Sequence, residues 1–260
     1  MSEADEQPDR RELLAVALEA AHAAAEILVE QAGLREPDGV RTKSTPTDLV
    51  SAADVAAERA IRAVLERRRP ADAILGEEGE DRAGESGLHW IVDPLDGTVN
   101  YLFGIPQWCV SIACEGHVGV VLDPVRGECF SVVEGEAPLL DGVALTPSAR
   151  DELGTALVAT GFGYDAEVRA AQARQVAQLL PQVRDIRRLG SAALDLAWTA
   201  AGRYDAYYER GVQRWDVAAG LLLCRNAGLA ARALTARGDL PPGVLVASPG
   251  IVDRLAALLA

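Results

Sequence analysis

Apolar residues along this chain change their spacing several times, and each change marks an element. Leu14, Leu18, Ala21, Ala25 and Leu28 recur three or four positions apart, which predicts a helix over residues 10–31 with one apolar face. Gly33 is placed as its C-cap. Residues 33–47 hold Gly, Pro, Ser and Thr and read as a loop. A second helix follows over about 52–69, with Ala57, Ile61, Val64 and Leu65 on its core face. Ser51 and Asp54 are set as a capping box, with Asp where Glu is usual. Arg67, Arg68 and Arg69 suit the negative end of that helix's dipole, and Pro70 stops it. The polar, acidic residues 1–9 read as a disordered tail.

Short apolar runs then take over. Residues 73–75 form a brief strand that delivers Gly76-Glu77-Glu78-Gly79-Glu80, and Trp90-Ile91-Val92 is a buried, β-prone run. Strands at 107–115, 117–123 and 127–133 make an antiparallel meander, turning at Glu115-Gly116 and Arg126-Gly127. Beyond them strand and helix alternate: a strand at 155–160, a helix at 166–180 and a strand at 185–188. Gly190-Ser191-Ala192-Ala193 opens a helix to about residue 201, and a strand follows at 205–209. Trp215-Asp216-Val217-Ala218-Ala219-Gly220 begins another helix, before a late strand at 244–247 and a closing helix at 251–259. No internal repeat interrupts this order. The pattern predicts an α+β fold of layered helices with mixed and antiparallel sheets.

Composition narrows the class. The chain has 260 residues, 49 % of them hydrophobic, enough for one large domain or two tightly joined halves. Its 25 basic against 39 acidic residues leave a net charge of −14. Such a surface repels nucleic acid and anionic membranes, and an anionic substrate would need help from bound cations. Apolar runs are too short for a membrane span, and the N-terminus lacks the apolar stretch of a signal peptide. Cys109, Cys114, Cys129 and Cys224 sit among apolar residues without metal-binding spacing, and read as reduced cysteines of a cytoplasmic protein. His22, His89 and His117 are scattered, which argues against zinc.

The chemistry gathers in Trp90-Ile91-Val92-Asp93-Pro94-Leu95-Asp96-Gly97-Thr98-Val99-Asn100. Pro94 fixes its own φ and pushes Asp93 into an extended conformation. Gly97 permits a tight turn. A strand end of this kind directs Asp93, the Leu95 carbonyl and Asp96 toward one point. Oxygen ligands at a strand end suit a hard divalent cation, and N–H groups at the helix start suit a phosphate. An Asp-Gly turn with a stray second aspartate is the bland reading of the same residues. Glu77-Glu78 reads either as a solvated loop or as ligands beside Asp93. Asp54 reads either as a cap alone or as a catalytic group. With Asp216, these acids suit a two-metal centre, since carboxylates packed so closely are costly without a cation.

Three motifs carry a resemblance. Gly76-Glu77-Glu78, then Trp90 through Tyr101, then Trp215-Asp216-Val217-Ala218-Ala219-Gly220 resemble the inositol monophosphatase family, within the lithium-sensitive, Mg²⁺-dependent phosphatases. Lys43-Ser44-Thr45-Pro46-Thr47-Asp48, Asp54, Gly190-Ser191-Ala192-Ala193 and Asp205-Ala206-Tyr207-Tyr208-Glu209 support it in the same order. The resemblance implies a layered α-β-α-β-α sandwich, the sugar phosphatase fold. It implies a single phosphatase domain over 10–260, in halves of about 10–146 and 147–260 with the site between them. Glu77, Asp93 and the Leu95 carbonyl are then ligands of one Mg²⁺, and Asp93, Asp96 and Asp216 of a second, with two or three ions per subunit. Asp54 and Thr98 orient the attacking water, with Glu78 nearby. Gly97 and Thr98 cradle the phosphate, while Gly190, Ser191, Ala192, Glu209 and Asp216 hold the hydroxyls of a polyol. The implied activity is hydrolysis of inositol 1-phosphate or a similar small phosphomonoester, by a cytoplasmic homodimer.

The chain departs from the family at Glu134 to Thr146 and Thr235 to Val244, which are short, so substrate access is open. Relatives acting on histidinol phosphate, a nucleotide 3′-phosphate or fructose bisphosphate are one alternative. A protein-binding factor of transcription or ribosome assembly is another. Arg187 and Arg188, after a strand, read as a solvated edge rather than as groups for a second phosphate.

Overall fold

The computed structural model describes residues 8–32, 41–42 and 49–260. Helix α1 (Arg10–Gln31) starts at Asp9, whose side chain accepts the N–H groups of Arg11 and Glu12. That bond satisfies donors a helix start leaves open. Asp9 therefore belongs to the helix rather than to the expected tail. Gly33 and the Lys43–Asp48 segment lie outside the described residues. The expected loop holds one short strand, β1 (Arg41–Thr42), which pairs antiparallel with another just beyond it, β2 (Leu49–Val50). Helix α2 (Ala52–Arg68) carries the capping box as predicted: the Ser51 hydroxyl and the Asp54 carboxylate each accept the other residue's backbone N–H.

Seven strands form the first sheet: β3 (Ala73–Gly76), β4 (His89–Asp96), β5 (Cys109–Cys114), β6 (Val118–Asp123), β7 (Glu128–Val133), β8 (Leu139–Leu140) and β9 (Val143–Ala144), in that order. Only β3 and β4 run parallel; every later pair is antiparallel. Helix α3 (Thr98–Leu102) follows directly on β4. The β8–β9 hairpin was not anticipated. Its signal is Asp141-Gly142, which turns with φ of 50° and 82°, an Asp-Gly pair suited to a two-residue hairpin.

The second sheet has the order β11 (Asp185–Arg187), β10 (Leu157–Thr160), β12 (Ala206–Arg210), β14 (Gly243–Ala247) and β13 (Ala230–Leu234). Strand β10 is parallel to both its neighbours, and β14 is antiparallel to both of its own. Strand β13 also escaped the sequence. Its Ala-Ala-Arg-Ala-Leu run has no alternation and no β-branched residue, and pairing with β14 imposes the strand. The remaining helices are α4 (Ala166–Leu179), α5 (Ala192–Ala200), α6 (Arg214–Asn226) and α7 (Val252–Leu259).

These elements stack in five layers. Helices α1 and α2 cover one face of the first sheet, α5 and α6 lie between the sheets, and α4 and α7 cover the far side. Three apolar cores fill the gaps: Leu28, Ile61 and Trp90 in the first, Phe130, Leu196 and Tyr207 in the second, Val158, Leu245 and Leu255 in the third. The predicted α-β-α-β-α order is the one observed. It brings the C-terminal end of β4 and the start of α6 to one cleft with the ends of β11 and β12.

Candidate active site

Strand β4 is built to end abruptly. Pairing with β5 runs in register from Trp90 to Asp93, then slips before Asp96. Pro94 lies at the slip, has no N–H to give the ladder, and so favours a bulge there. The kink leaves Asp93 and Asp96 with Leu95 between them at the wall of the cleft. Gly97 then takes φ of 98°, and a Cβ there would lie 2.8 Å from the Gln107 carbonyl oxygen. Both facts demand glycine at this turn.

The cleft has a volume of about 390 Å³. Glu77 after β3, Asp93 and Asp96 of β4, and Asp216 in the first turn of α6 all line it. One oxygen of each aspartate is already engaged. Asp93 Oδ1 accepts the Leu95 N–H at 3.0 Å. Asp96 Oδ2 accepts the Ser191 hydroxyl at 2.7 Å and the Ala193 N–H at 2.6 Å. Asp216 Oδ2 accepts the Gln213 N–H at 2.6 Å, capping its own helix. Each carboxyl group is thereby fixed in direction by backbone.

Charge in this cleft is expensive. Burial, then Glu77, Asp96 and Asp216, push the Asp93 carboxyl well above the ordinary carboxylate range. Asp96 is pushed up to about 6 by burial, against the Ser191 and Ala193 hydrogen bonds that favour its anion. Burial and then Asp96 raise Asp216. Four carboxyl groups from three chain segments would repel one another here. Among the described residues no three acidic, His or Cys side chains are already gathered as a group that could hold a metal ion. The donor set is oxygen alone, hard and anionic, and fits Mg²⁺ or a similar cation rather than a softer metal.

Asp54 and Thr98 meet as a pair across 44 residues of sequence: Thr98 Oγ1 lies 3.0 Å from Asp54 Oδ1 and 3.1 Å from the Leu95 carbonyl oxygen. Thr98 lines the cleft, while Asp54 is fully buried behind it. The cap and the contact to Thr98 use the two oxygens of one carboxylate. The cap is present, and it leaves the other oxygen to meet Thr98. Asp54→Ala is expected to slow turnover by roughly 100-fold through loss of the Thr98 partner. It should also cost about 1 kcal/mol through loss of the cap. Steady-state kinetics and a melting curve on the same variant check the two effects. Full activity in a variant with a lowered melting point would leave Asp54 the cap alone.

Other predicted residues fall at different depths. Gly97, Gly190, Ala192 and Glu209 line the cleft. Ser191 is 1 % exposed and stands behind the wall, where it caps α5 and holds Asp96. Glu78 does not line the cleft; its N–H donates to Glu58 Oε2 at 2.7 Å. Glu209 accepts the Tyr207 hydroxyl at 3.0 Å and backs onto Gly161, where a Cβ would lie 2.1 Å from its carboxylate. Asn100, from the same motif, donates to the Gln107 and Leu189 carbonyl oxygens at 2.8 Å each, and so pins the Gly190 turn to α3.

Arg188 is exposed, as the reading of a solvated edge has it, and is also part of the site. It lines the cleft, with its guanidinium 5.7 Å from the centre of the Phe162 ring. Phe162, Tyr164 and Trp215 also line the cleft, so it presents both basic and aromatic groups. Arg187 points elsewhere, to Asp185 at 2.6 Å. Nothing local in Arg187-Arg188 tells the two apart: β11 ends at Arg187, and Arg188 enters the cleft from the segment beyond it.

Comparison with known proteins agrees with this geometry. The model of the "Inositol monophosphatase family" matches residues 9–259. A relative from Mycobacterium leprae named inositol-1-monophosphatase is 45 % identical over 250 residues, covering 90 % of this chain and 86 % of its own. One from Xylella fastidiosa named Nus factor SuhB is 43 % identical, covering 82 % of this chain and 78 % of its own. The crystal structure of the extragenic suppressor protein suhB from Bartonella henselae superposes with a TM-score of 0.86 at 33 % identity, over 95 % of this chain and 98 % of that one. With the five-layer fold and the acidic cleft, these matches show that the chain belongs to the inositol monophosphatase family.

Proposed function

We propose that this chain is a Mg²⁺-dependent phosphomonoesterase acting on inositol 1-phosphate or a similar small polyol phosphate. The observation that carries the reading is the convergence of Glu77, Asp93, Asp96 and Asp216 on one cleft beside the Asp54–Thr98 pair. Relatives named inositol-1-monophosphatase support it. Glu77, Asp93 and the Leu95 carbonyl would hold one Mg²⁺, and Asp93, Asp96 and Asp216 a second. Bound there, the ions supply Lewis acidity and positive charge against the phosphate.

The chain's own groups do the rest. The Thr98 hydroxyl donates a hydrogen bond to Asp54 or to the Leu95 carbonyl. Its oxygen lone pairs are then turned to accept a hydrogen bond from water, which orients that water toward phosphorus. Among the described lining residues there is no Ser, Cys or His to take the phosphoryl group. The resemblance to the family implies direct in-line attack by water on the ester, with positioning and charge stabilisation carrying it. Gly190, Ala192 and Glu209 form the wall that faces the polyol, and Ser191 acts through Asp96.

Glu209 gives the site a pH dependence. Burial, opposed by the Tyr207 hydrogen bond and Arg188, raises its carboxyl to about 7. Below that pH it is neutral and above it an anion, the better acceptor for substrate hydroxyls. KM is therefore expected to fall as pH rises through about 7, and Glu209→Gln to flatten that change. A raised acid stabilises the fold relatively at low pH and loses that stability between its ordinary value and about 7. Glu209→Gln should accordingly gain melting temperature over wild type at pH 8 more than at pH 5. A KM profile unchanged by the substitution would remove Glu209 from the substrate.

Mg²⁺-dependent phosphate release over inositol 1-phosphate, glycerol 2-phosphate, histidinol phosphate, fructose bisphosphate and phosphoadenosine phosphate tests the activity. Inositol 1-phosphate is expected to turn over fastest, with inhibition by Li⁺. No release from any ester would overturn the reading. It also carries a cytoplasmic homodimer of single-domain subunits, with halves of about 10–146 and 147–260 meeting at the cleft. Among the described residues no helix is long and apolar enough to cross a membrane.

A second reading is favoured by the relatives named Nus factor SuhB, at 43 % and 42 % identity. In it the chain also binds a partner of the transcription machinery. The net charge of −14 points to a protein partner rather than RNA. A pull-down with Asp96→Asn, which lacks turnover, separates the two roles.

A further inference from the structure

Helix α2 carries a second polar contact below the cleft, one turn on from Asp54. Residues Asp54, Glu58 and Arg62 are spaced by four, so they share one face of the helix. Glu58 is 2 % exposed, an unusual place for a carboxylate. Its Oε1 lies 2.7 Å from Arg62 Nε, and its Oε2 accepts the Glu78 N–H at 2.7 Å. The carboxylate therefore bridges the helix to the Gly76–Glu80 loop.

That loop has been shaped to let it in. A Cβ on Gly76 would lie 2.4 Å from Glu58 Oε1 and 2.7 Å from Arg62 Nη2. On Gly79 it would lie 2.5 Å from the same oxygen and 2.9 Å from Arg62. Glycine stands on both sides of Glu77-Glu78, and the Glu58–Arg62 pair fills the space where two side chains would be. Past Gly76 the loop leaves the β3–β4 ladder and rejoins backbone pairing through Arg82 and Ile74. Between those points Glu58 reaches the backbone right after Glu77.

We infer that Glu58, oriented by Arg62, is a positioning residue: it holds the Glu77 loop so that the Glu77 carboxylate faces the cation site. Through Asp54 and Glu58 one helix face then sets both the Thr98 hydroxyl and the Glu77 carboxylate. The inference rests on the proposed Mg²⁺ site. Burying an ion pair is a poor way to gain stability; a role in fixing direction explains why the pair is there.

The test is calorimetric Mg²⁺ binding without substrate, alongside melting curves and Mg²⁺-activation curves. Glu58→Ala is expected to weaken Mg²⁺ binding by roughly tenfold or more. Raising Mg²⁺ should restore most of its kcat. Glu58→Gln has one carbonyl oxygen for two donors, the Arg62 guanidinium and the Glu78 N–H, so it should melt lower than wild type and weaken Mg²⁺ binding, though less than Glu58→Ala does. Gly79→Ala leaves α2 untouched and pushes the carboxylate off the loop; it should weaken Mg²⁺ binding in the same direction, even if Glu58→Ala does not fold. Wild-type affinity in Gly79→Ala, or in folded Glu58→Ala, would overturn the inference while leaving the activity intact. A wild-type protein that binds no Mg²⁺ would remove the site itself.

Discussion

Asp96→Asn is expected to lower kcat by roughly three orders of magnitude or more, about 4 kcal/mol of transition-state stabilisation. The size follows from what the side chain does. One oxygen is spent on the Ser191 hydroxyl and the Ala193 N–H. Both are donors, so an Asn must turn its own oxygen toward them and its NH₂ into the cleft. The cation then meets a donor where it needs an anion. Because Asn keeps the two bonds to α5, the fold should hold, and the melting temperature without metal should stay within a few degrees of wild type. Phosphate release with saturating Mg²⁺ and a thermal melt are sufficient to check this. Near wild-type turnover would mean that Asp96 holds α5 in place and does nothing to the ester.

The acids of the cleft were legible because their signals are local. Asp93-Pro94-Leu95-Asp96-Gly97-Thr98 contains its own geometry: Pro94 breaks the ladder and Gly97 takes the positive φ. Ser51 and Asp54 were visible as a cap for the same reason. The contact of Asp54 with Thr98 spans 44 positions, and no local pattern shows it. The same holds for Ser191, which the sequence offers to the substrate and the fold turns onto Asp96. Arg188 was lost because two adjacent arginines are chemically alike, and only the course of the chain past the end of β11 separates them. Among the fold elements, β13 is made by its neighbour β14 rather than by its own residues. The β8–β9 hairpin was legible in Asp141-Gly142, though strands of two residues each give little else to read.

Mg²⁺ at roughly 100 times its dissociation constant should stabilise the wild-type protein by about 2.7 kcal/mol, raising its melting temperature by roughly 5–10 °C. In Asp93→Asn most of that rise should vanish. Asp93 is an informative position because burial, then Glu77, Asp96 and Asp216, all raise its carboxyl. Its charge is opposed by three neighbouring carboxylates and needs a cation. Asn keeps an oxygen for the Leu95 N–H that Asp93 Oδ1 now accepts, so the kink at Pro94 loses no hydrogen bond. Without metal the substitution removes a repelled charge at little structural cost. The metal-free variant should therefore melt at or above the metal-free wild type, an inversion that an ordinary core lesion would not produce. A variant that melts lower without metal, yet gains the full Mg²⁺ shift, would show that these carboxylates hold the fold together and not a cation.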